Sequence, residues 1–530
     1  MADEVSFFTP LLSPADRLSV NQEYDSLIVS ADDEGRDGNM DGCEADTERR
    51  HDAESPSSGV SMRRSHLVVA ILFYINLLNY MDRFTVAGVL IQIQNFFTIS
   101  DTLSGLLTTV FICSYMVLAP FFGYLGDRYV RKYIMMVGIC LWSAMTLTSS
   151  FMPKQHFSVF LVLRGLVGVG EASYSTIAPT VIADLFTHGE RTRMLSFFYF
   201  AIPVGSGLGY IVGGNVAQLM QNWQWALRIT PALGFLAVIL IGAIVPEPRR
   251  GAAERDQDSN LVRTSWSTDI KCLLHNPSFM WSSFGFTSVS FVTGALALWS
   301  PKFLVLGQVV QGTLQPCKSS SCDGYSRVSL IFGVLTCVSG VIGVGMGAEI
   351  ARRLKLRNPR ADPLVCAVGL LSSAPFLFLA LTTAVYNTTL TYVFIFLGET
   401  LLSLNWAVVA DILLYVVIPT RRATAESLQI VMSHLLGDAF SPYFIGMISD
   451  SIKRGRPDSY LLRFTSLEYS LLICVFVSVF GGSCFLINMA YIEQDRIKAE
   501  RIMQGMASDE DVVVPVGARR TSIHVSELLS

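Results

Sequence analysis

Asp82 and Arg83 stand side by side inside LLNYMDRFTVAGVL, residues 77–90, a stretch otherwise dominated by apolar side chains. An ionisable group in hydrocarbon is costly, so it faces a partner or a polar cavity and marks function by default. The aspartate reads as a proton carrier or network anchor. In a regular helix the two point about 100° apart and need separate partners; the alternative is that both only brace helices. Arg164 and Glu171 in RGLVGVGEASYS, residues 164–175, share one helix face, about 10 Å apart along the axis. Glu171 sits near the centre of its apolar run and is read as a substrate or proton group, or else as an ion-pair partner of Arg83 or Arg164. Arg164 lies closer to the end of the run, within snorkelling reach of the interface. His434 and Asp438 are four apart and stack on one face; imidazole titrates nearest neutral pH, so the pair is a proton site or a hydrogen-bonded core histidine. Glu399 and Asn405 are weaker candidates for the same cavity.

The elements that position these residues are membrane helices. Of 530 residues, 51% are hydrophobic and 15% charged, against about 25% charged in soluble domains. Apolar runs of roughly 20 residues, the length that crosses a bilayer, recur along the chain. The reading is an all-α membrane protein with twelve spans: 67–93, 102–126, 133–151, 157–186, 191–219, 225–246, 274–305, 327–351, 362–385, 390–417, 424–450 and 464–492. Residues 1–66 are a polar, acidic tail expected to be disordered and cytosolic; 67–247 form a six-helix bundle, 248–273 a charged cytosolic linker, 274–493 a second six-helix bundle, and 494–530 a cytosolic tail. The net charge of -4 is too small to point to a partner, and no basic stripe suggests nucleic acid.

Lys and Arg concentrate in alternate loops, which sets the orientation. Arg128, Arg131 and Lys132, Arg191 and Arg193, Arg352 and Arg353, and Arg421 and Arg422 come out inside, with both termini cytosolic. SIKRGRPDSY at 451–460 runs against the rule. Cys317 and Cys322 share an outer polar loop and form a disulfide candidate if that side is oxidising. Asn387 opens a glycosylation sequon in a very short outer loop. No CxxC metal pattern occurs among the ten cysteines, so no metal is expected.

The halves repeat weakly. Gly170-Glu171 matches Gly398-Glu399, Ala183-Asp184 matches Ala410-Asp411, and an Arg pair follows each. Two parallel six-helix halves are the plan of a secondary transporter, with substrate held near the midplane between them. GYLGDRYVRK at 123–132 resembles the signature loop of the major facilitator superfamily, which implies a gating role for Asp127, Arg128 and Arg131. Asp184 joins that gate, and Asp411 with Arg421 or Arg422 reads as its counterpart in the second half. AIPVGSGLGYIVGG at 201–214 resembles the glycine motif of span five and suits close helix packing.

Taken with FYFAIPVGSGLGY, RADPLVCAVG, GETLL and DILLYVVIPTRRATAE, these stretches look like the spinster family of that superfamily, from about residue 67 to 492. The resemblance implies a lysosomal or late endosomal multi-pass protein exporting lysophospholipids, lysophosphatidylcholine and lysophosphatidylethanolamine, to the cytosol with protons as coupling ion and no other cofactor. It implies that Arg83 meets the lipid phosphate and Glu171 the amine or the proton. The tail carries overlapping sorting patterns, Glu23-x-x-x-Leu27-Ile28 and Tyr24-x-x-Leu27, that would engage sorting adaptors.

Two other readings compete. Sphingosine 1-phosphate also joins a phosphate, an amine and one long tail. A lipid sensor without flux would tolerate loss of Asp127 and Arg128. An enzyme is not expected: GxSxG, HExxH and the P-loop are all missing.

Overall fold

Apolar runs interrupted by short polar loops close their backbone hydrogen bonds within each segment, which in lipid leaves helices as the outcome. The structure, a computed structural model, describes residues 61–186, 188–246, 266–316 and 324–503, and all secondary structure among them is helical. The sorting patterns at Glu23, Tyr24, Leu27 and Ile28, and the cysteines Cys317 and Cys322, lie outside the described residues.

The first half runs through α1 (Met62–Gly88), its continuation α2 (Leu90–Phe97), α3 (Asp101–Arg128), α4 (Arg131–Ser149), α5 (Phe157–Leu185), α6 (His188–Leu219) and α7 (Ala226–Ile244). The linker helix α8 (Trp266–Leu274) precedes α9 (Pro277–Val310), α10 (Tyr325–Lys355), α11 (Ala361–Thr383) and α12 (Thr388–Ser403) with its continuation α13 (Asn405–Val416). α14 (Arg422–Ser433), α15 (Phe440–Lys453) and α16 (Tyr460–Met503) complete the second half. Ten of the expected passes are long and apolar enough to cross a membrane. The other two are the 19-residue α4 and the pair α14–α15, which a π-turn at His434–Asp438 interrupts.

Three features depart from uninterrupted spans. α1 breaks at Val89, the tenth pass breaks at Leu404, and Gly437 inside the π-turn has non-helical angles. The expected linker carries a helix of its own, α8, and Asn276 then caps α9 with Pro277 in its first turn. α16 has 44 residues, about 66 Å at 1.5 Å each, so it outruns a hydrocarbon core of about 30 Å. Asn387, the sequon residue, accepts the Leu390 N–H at 3.1 Å and caps α12.

Successive passes alternate in direction, so Met62, the linker and Met503 share one side, here the near side. Residues 97–101, 310–316 and 453–460 lie on the far side. One buried core joins α1, α3, α4, α5 and α7 around Leu72, Trp142, Val167 and Tyr174. A second lies mainly in α9 to α16 around Phe279, Trp299, Leu370 and Phe485. The halves meet along two seams, α3 on α15 and α6 on α10. A Cβ on Gly105 of α3 would lie 2.3 Å from the Pro442 carbonyl oxygen of α15, and one on Gly207 of α6 would lie 2.5 Å from the Gly333 carbonyl oxygen of α10. Both seams need the missing side chain.

Gly105→Ala should therefore push α3 off α15 and cost about 1–3 kcal/mol. A thermal melt of the purified protein checks this: a clearly lower midpoint is expected, and an unchanged one contradicts the seam.

Candidate functional site

Each half offers acids and bases that hydrocarbon would not solvate, and the helices decide which of them meet. Asp82 on α1 is sealed inside the first half, with 1% side-chain exposure against 3% for Arg164. Its carboxylate accepts from Thr230 at 2.6 Å, Trp142 Nε1 at 3.2 Å, and Arg164 and Thr146 at 3.4 Å each. These donors come from α7, α4 and α5, so Asp82 ties α1 to three neighbours. Arg164 does not snorkel, because its counter-charge lies inward.

One residue later, Arg83 points elsewhere. Its guanidinium donates to Asp438 at 3.1 Å across the boundary between the halves, and Asp438 also meets His434 Nδ1 at 2.8 Å. Both side chains of the Arg83–Asp438 pair keep about a sixth of their surface, 17% and 16%. Phe111 of α3 lies under Arg83 and Arg164, with its centroid 5.4 and 5.7 Å from their guanidinium carbons. Tyr115 on α3 packs edge-on to His434 at 6.0 Å and accepts from Ser175 at 3.3 Å. Glu171, buried on α5, lies within electrostatic reach of Arg83, Asp82, Arg164 and His434. Among the described residues no hydrogen bond or ion pair reaches its carboxyl. The ion pair of Glu171 with Arg83 or Arg164 is thus corrected: each arginine is taken by an aspartate.

This arrangement gathers Arg83, Glu171, Tyr115, His434 and Asp438 from both halves near the middle of their passes. It leaves out Asp82 and Arg164, sealed within the first half, and two candidates of the second half. Asn405 is fully buried at the break between α12 and α13. Its amide donates to the Leu402 carbonyl at 2.9 Å, and it packs against Gly369 of α11. Glu399 accepts from Ser339 at 2.9 Å and borders a small cavity within the second half, lined by Leu296, Phe303, Leu377 and Cys474.

At the near side Arg131 pairs with Asp184 at 2.6 Å, within the first half. Arg128 lies over the Tyr124 ring at 4.6 Å. The side chain of Asp127 lies outside what is described. The expected latch of Asp411 with Arg421 or Arg422 is corrected: among the described residues Asp411 pairs with neither, and Arg422 donates to the Val417 carbonyl at 3.2 Å. Arg421 donates to Asp269 of the linker helix at 2.7 Å, while Asp411 neighbours Lys355 and Asp362. Docking of α8 against the start of α14 brings that carboxylate closer than the one on α13.

The far side holds a cluster that reading for paired motifs missed. Asp101, in the first turn of α3, receives Lys302 of α9 and, at 2.5 Å, Lys453 of α15. Gln94 and Ser449 add donors at 2.9 and 2.8 Å. In return Asp450 of α15 accepts the backbone N–H of Asp101 and Thr102, at 3.2 and 2.7 Å, and so caps α3 from the other half. A lone lysine within the apolar run 274–305 was the available signal for Lys302.

Comparison with known proteins places this geometry. The Major Facilitator Superfamily model matches residues 72–442. The chain is 58% identical over 526 residues to Protein spinster homolog 1 of Xenopus laevis, covering 98% of each chain. It is 60% identical over 479 residues to the Homo sapiens protein of the same name, covering 89% of this chain and 90% of that one. The crystal structure of a bacterial homologue of the human lysosomal transporter spinster, inward-facing and unoccupied, superposes with a TM-score of 0.70 at 20% identity, over 82% of this chain and 99% of that one.

Replacing Asp82 by Asn leaves Arg164 buried without its counter-charge, a change that costs about 3–5 kcal/mol in comparable buried pairs. The variant should melt well below the parent, and Asp82→Asn/Arg164→Gln should recover part of the loss. A variant as stable as the parent would contradict the anchoring role.

Proposed function

Since this chain belongs to the spinster family of the major facilitator superfamily, a class of membrane transporters and not of enzymes, we propose that it exports lysophospholipids from the lysosomal lumen to the cytosol by alternating access, driven by protons. The observation that carries this reading is Arg83. Asp438 is its single hydrogen-bond partner among the described residues, so the other four of its five N–H donors are open to a ligand. A phosphate takes such a fork in bidentate fashion. Glu171, the acid with no fixed partner, stands beside it for the amine of the head group or for a proton. Placement between the halves, near the middle of their passes, suits a substrate that is released on either side in turn.

In this reading the near side is cytosolic and the far side luminal. Arg128, Arg131 and Asp184 gate the cytosolic end, with Asp127 beside Arg128 at the end of α3. The bilayer holds the lipid tail while the head group crosses. The bacterial structure, a homologue of a human lysosomal transporter named spinster, supports the compartment. So do the sorting patterns at Glu23, Tyr24, Leu27 and Ile28, through adaptors that would bind the N-terminal tail.

Flux in proteoliposomes tests the proposal. Labelled lysophosphatidylcholine should move only with protein present, faster with an acid interior. Glu171→Gln and Arg83→Ala should each slow it by at least about tenfold, and Glu171→Gln should leave the melting midpoint near that of the parent. Movement that ignores the gradient would remove proton coupling, and movement of sphingosine 1-phosphate in its place would replace the substrate.

A further inference from the structure

Two Arg–Asp pairs begin from adjacent residues of α1, and they differ in kind. Asp82–Arg164 lies within one half, is sealed from solvent and has four donors on the carboxylate. Arg83–Asp438 joins the halves through one N–H, and both side chains retain exposure. The first pair has no room for exchange. The second is a fork mostly unused, held by a single carboxylate oxygen.

Asp438 is fixed by its backbone and not by Arg83. It ends the π-turn His434–Asp438, where Gly437 leaves helical angles and the Ala439 N–H reaches back to the His434 carbonyl at 2.9 Å. Such turns inside helices recur at functional sites. α9 presses on the turn: a Cβ on Gly294 would lie 2.5 Å from the Asp438 Cα. From the first half, Thr109 of α3 donates to the Ala439 carbonyl at 2.5 Å. His434 holds the second carboxylate oxygen. If Arg83 turned away, Asp438 would stay in place and keep its histidine.

We propose that Asp438 is a resident stand-in for the anionic group of the substrate: it occupies Arg83 while the site is empty, and a ligand phosphate displaces it. The proposal rests on the phosphate-lipid reading above. Exchange of one anion for another keeps the guanidinium neutralised throughout, which a low-dielectric site demands. It also breaks the ion pair that joins α1 to the second half. Head-group binding thereby releases a contact between the halves, a direct physical link from occupancy to movement. A ligand that lacks the anion would leave the contact intact.

Binding to purified protein in nanodiscs tests this, with lysophosphatidylcholine and a monoacylglycerol of the same chain length as probes. Asp438→Asn removes the competitor, so it should tighten lysophosphatidylcholine about tenfold, as loss of a close charge pair permits, and leave monoacylglycerol unchanged. If wild-type protein binds lysophosphatidylcholine and the variant binds it no tighter, or binds both probes tighter alike, the stand-in role is overturned and the substrate reading stands. If neither protein prefers lysophosphatidylcholine to its neutral analogue, both fall. Should Asp438→Asn not fold, Arg83→Gln/Asp438→Asn removes both charges together. That variant should lose the preference for the phosphate lipid, and a retained preference would overturn the proposal.

Discussion

A charge inside hydrocarbon has to meet an opposite charge, and where those meetings fall decides how the two halves of this molecule stand. Asp82 and Arg164 satisfy one another within the first half and set its internal geometry. Arg83 finds its anion across the boundary. Asp101 gathers two lysines from the second half, and Asp450 returns the contact by capping α3. The two inter-half meetings lie near the middle of the passes and at the far side. With the close approach of Gly105 to Pro442, the far-side cluster joins α3 to α15, while Arg83 joins α1 to the π-turn ahead of α15. Opening that side requires Lys302 and Lys453 to leave Asp101.

Charge pairing accounts for only part of the loop that runs against the charge rule: of its cations, Lys453 is paired, while Arg454 and Arg456 are exposed with no ion pair among the described residues. Lys453 is held by Asp101 and Asp450, and Arg463 pairs with Asp458, whose carboxyl that contact holds below the usual range. Exposed pairs of this kind add little stability. The buried part of the cluster acts by geometry, since only one relative position of α3, α9 and α15 satisfies it.

Much of this was legible in the residues. Helix number and order follow from apolar run length, and the repeat of Gly-Glu and Ala-Asp pairs points to two related halves. Arg83, Glu171, His434 and Asp438 stand out because polar types in apolar runs are rare, and the structure brings them together. Partner choice was not legible. Spacing along a helix places His434 above Asp438, yet it is silent on Arg83, 355 residues away from Asp438. For the same reason the sequence reads Asp411 as a latch with Arg421 or Arg422, when Asp269 on the linker helix reaches Arg421. Asn405 looks like a cavity group because it is polar in an apolar run, but its amide donates back to the Leu402 carbonyl and it packs against Gly369 of α11. Asp101 was overlooked as a helix-start residue, a place where acids are common for local reasons.

Spin labels placed on the far-side ends of α3 and α10 would report the distance between the halves across that closure. The account predicts a dominant short distance in the parent protein and, in Asp101→Asn, a population shifted to longer distances because two lysines lose their shared anion. An unshifted distribution in the folded variant would show that the halves are held together by something other than these charges.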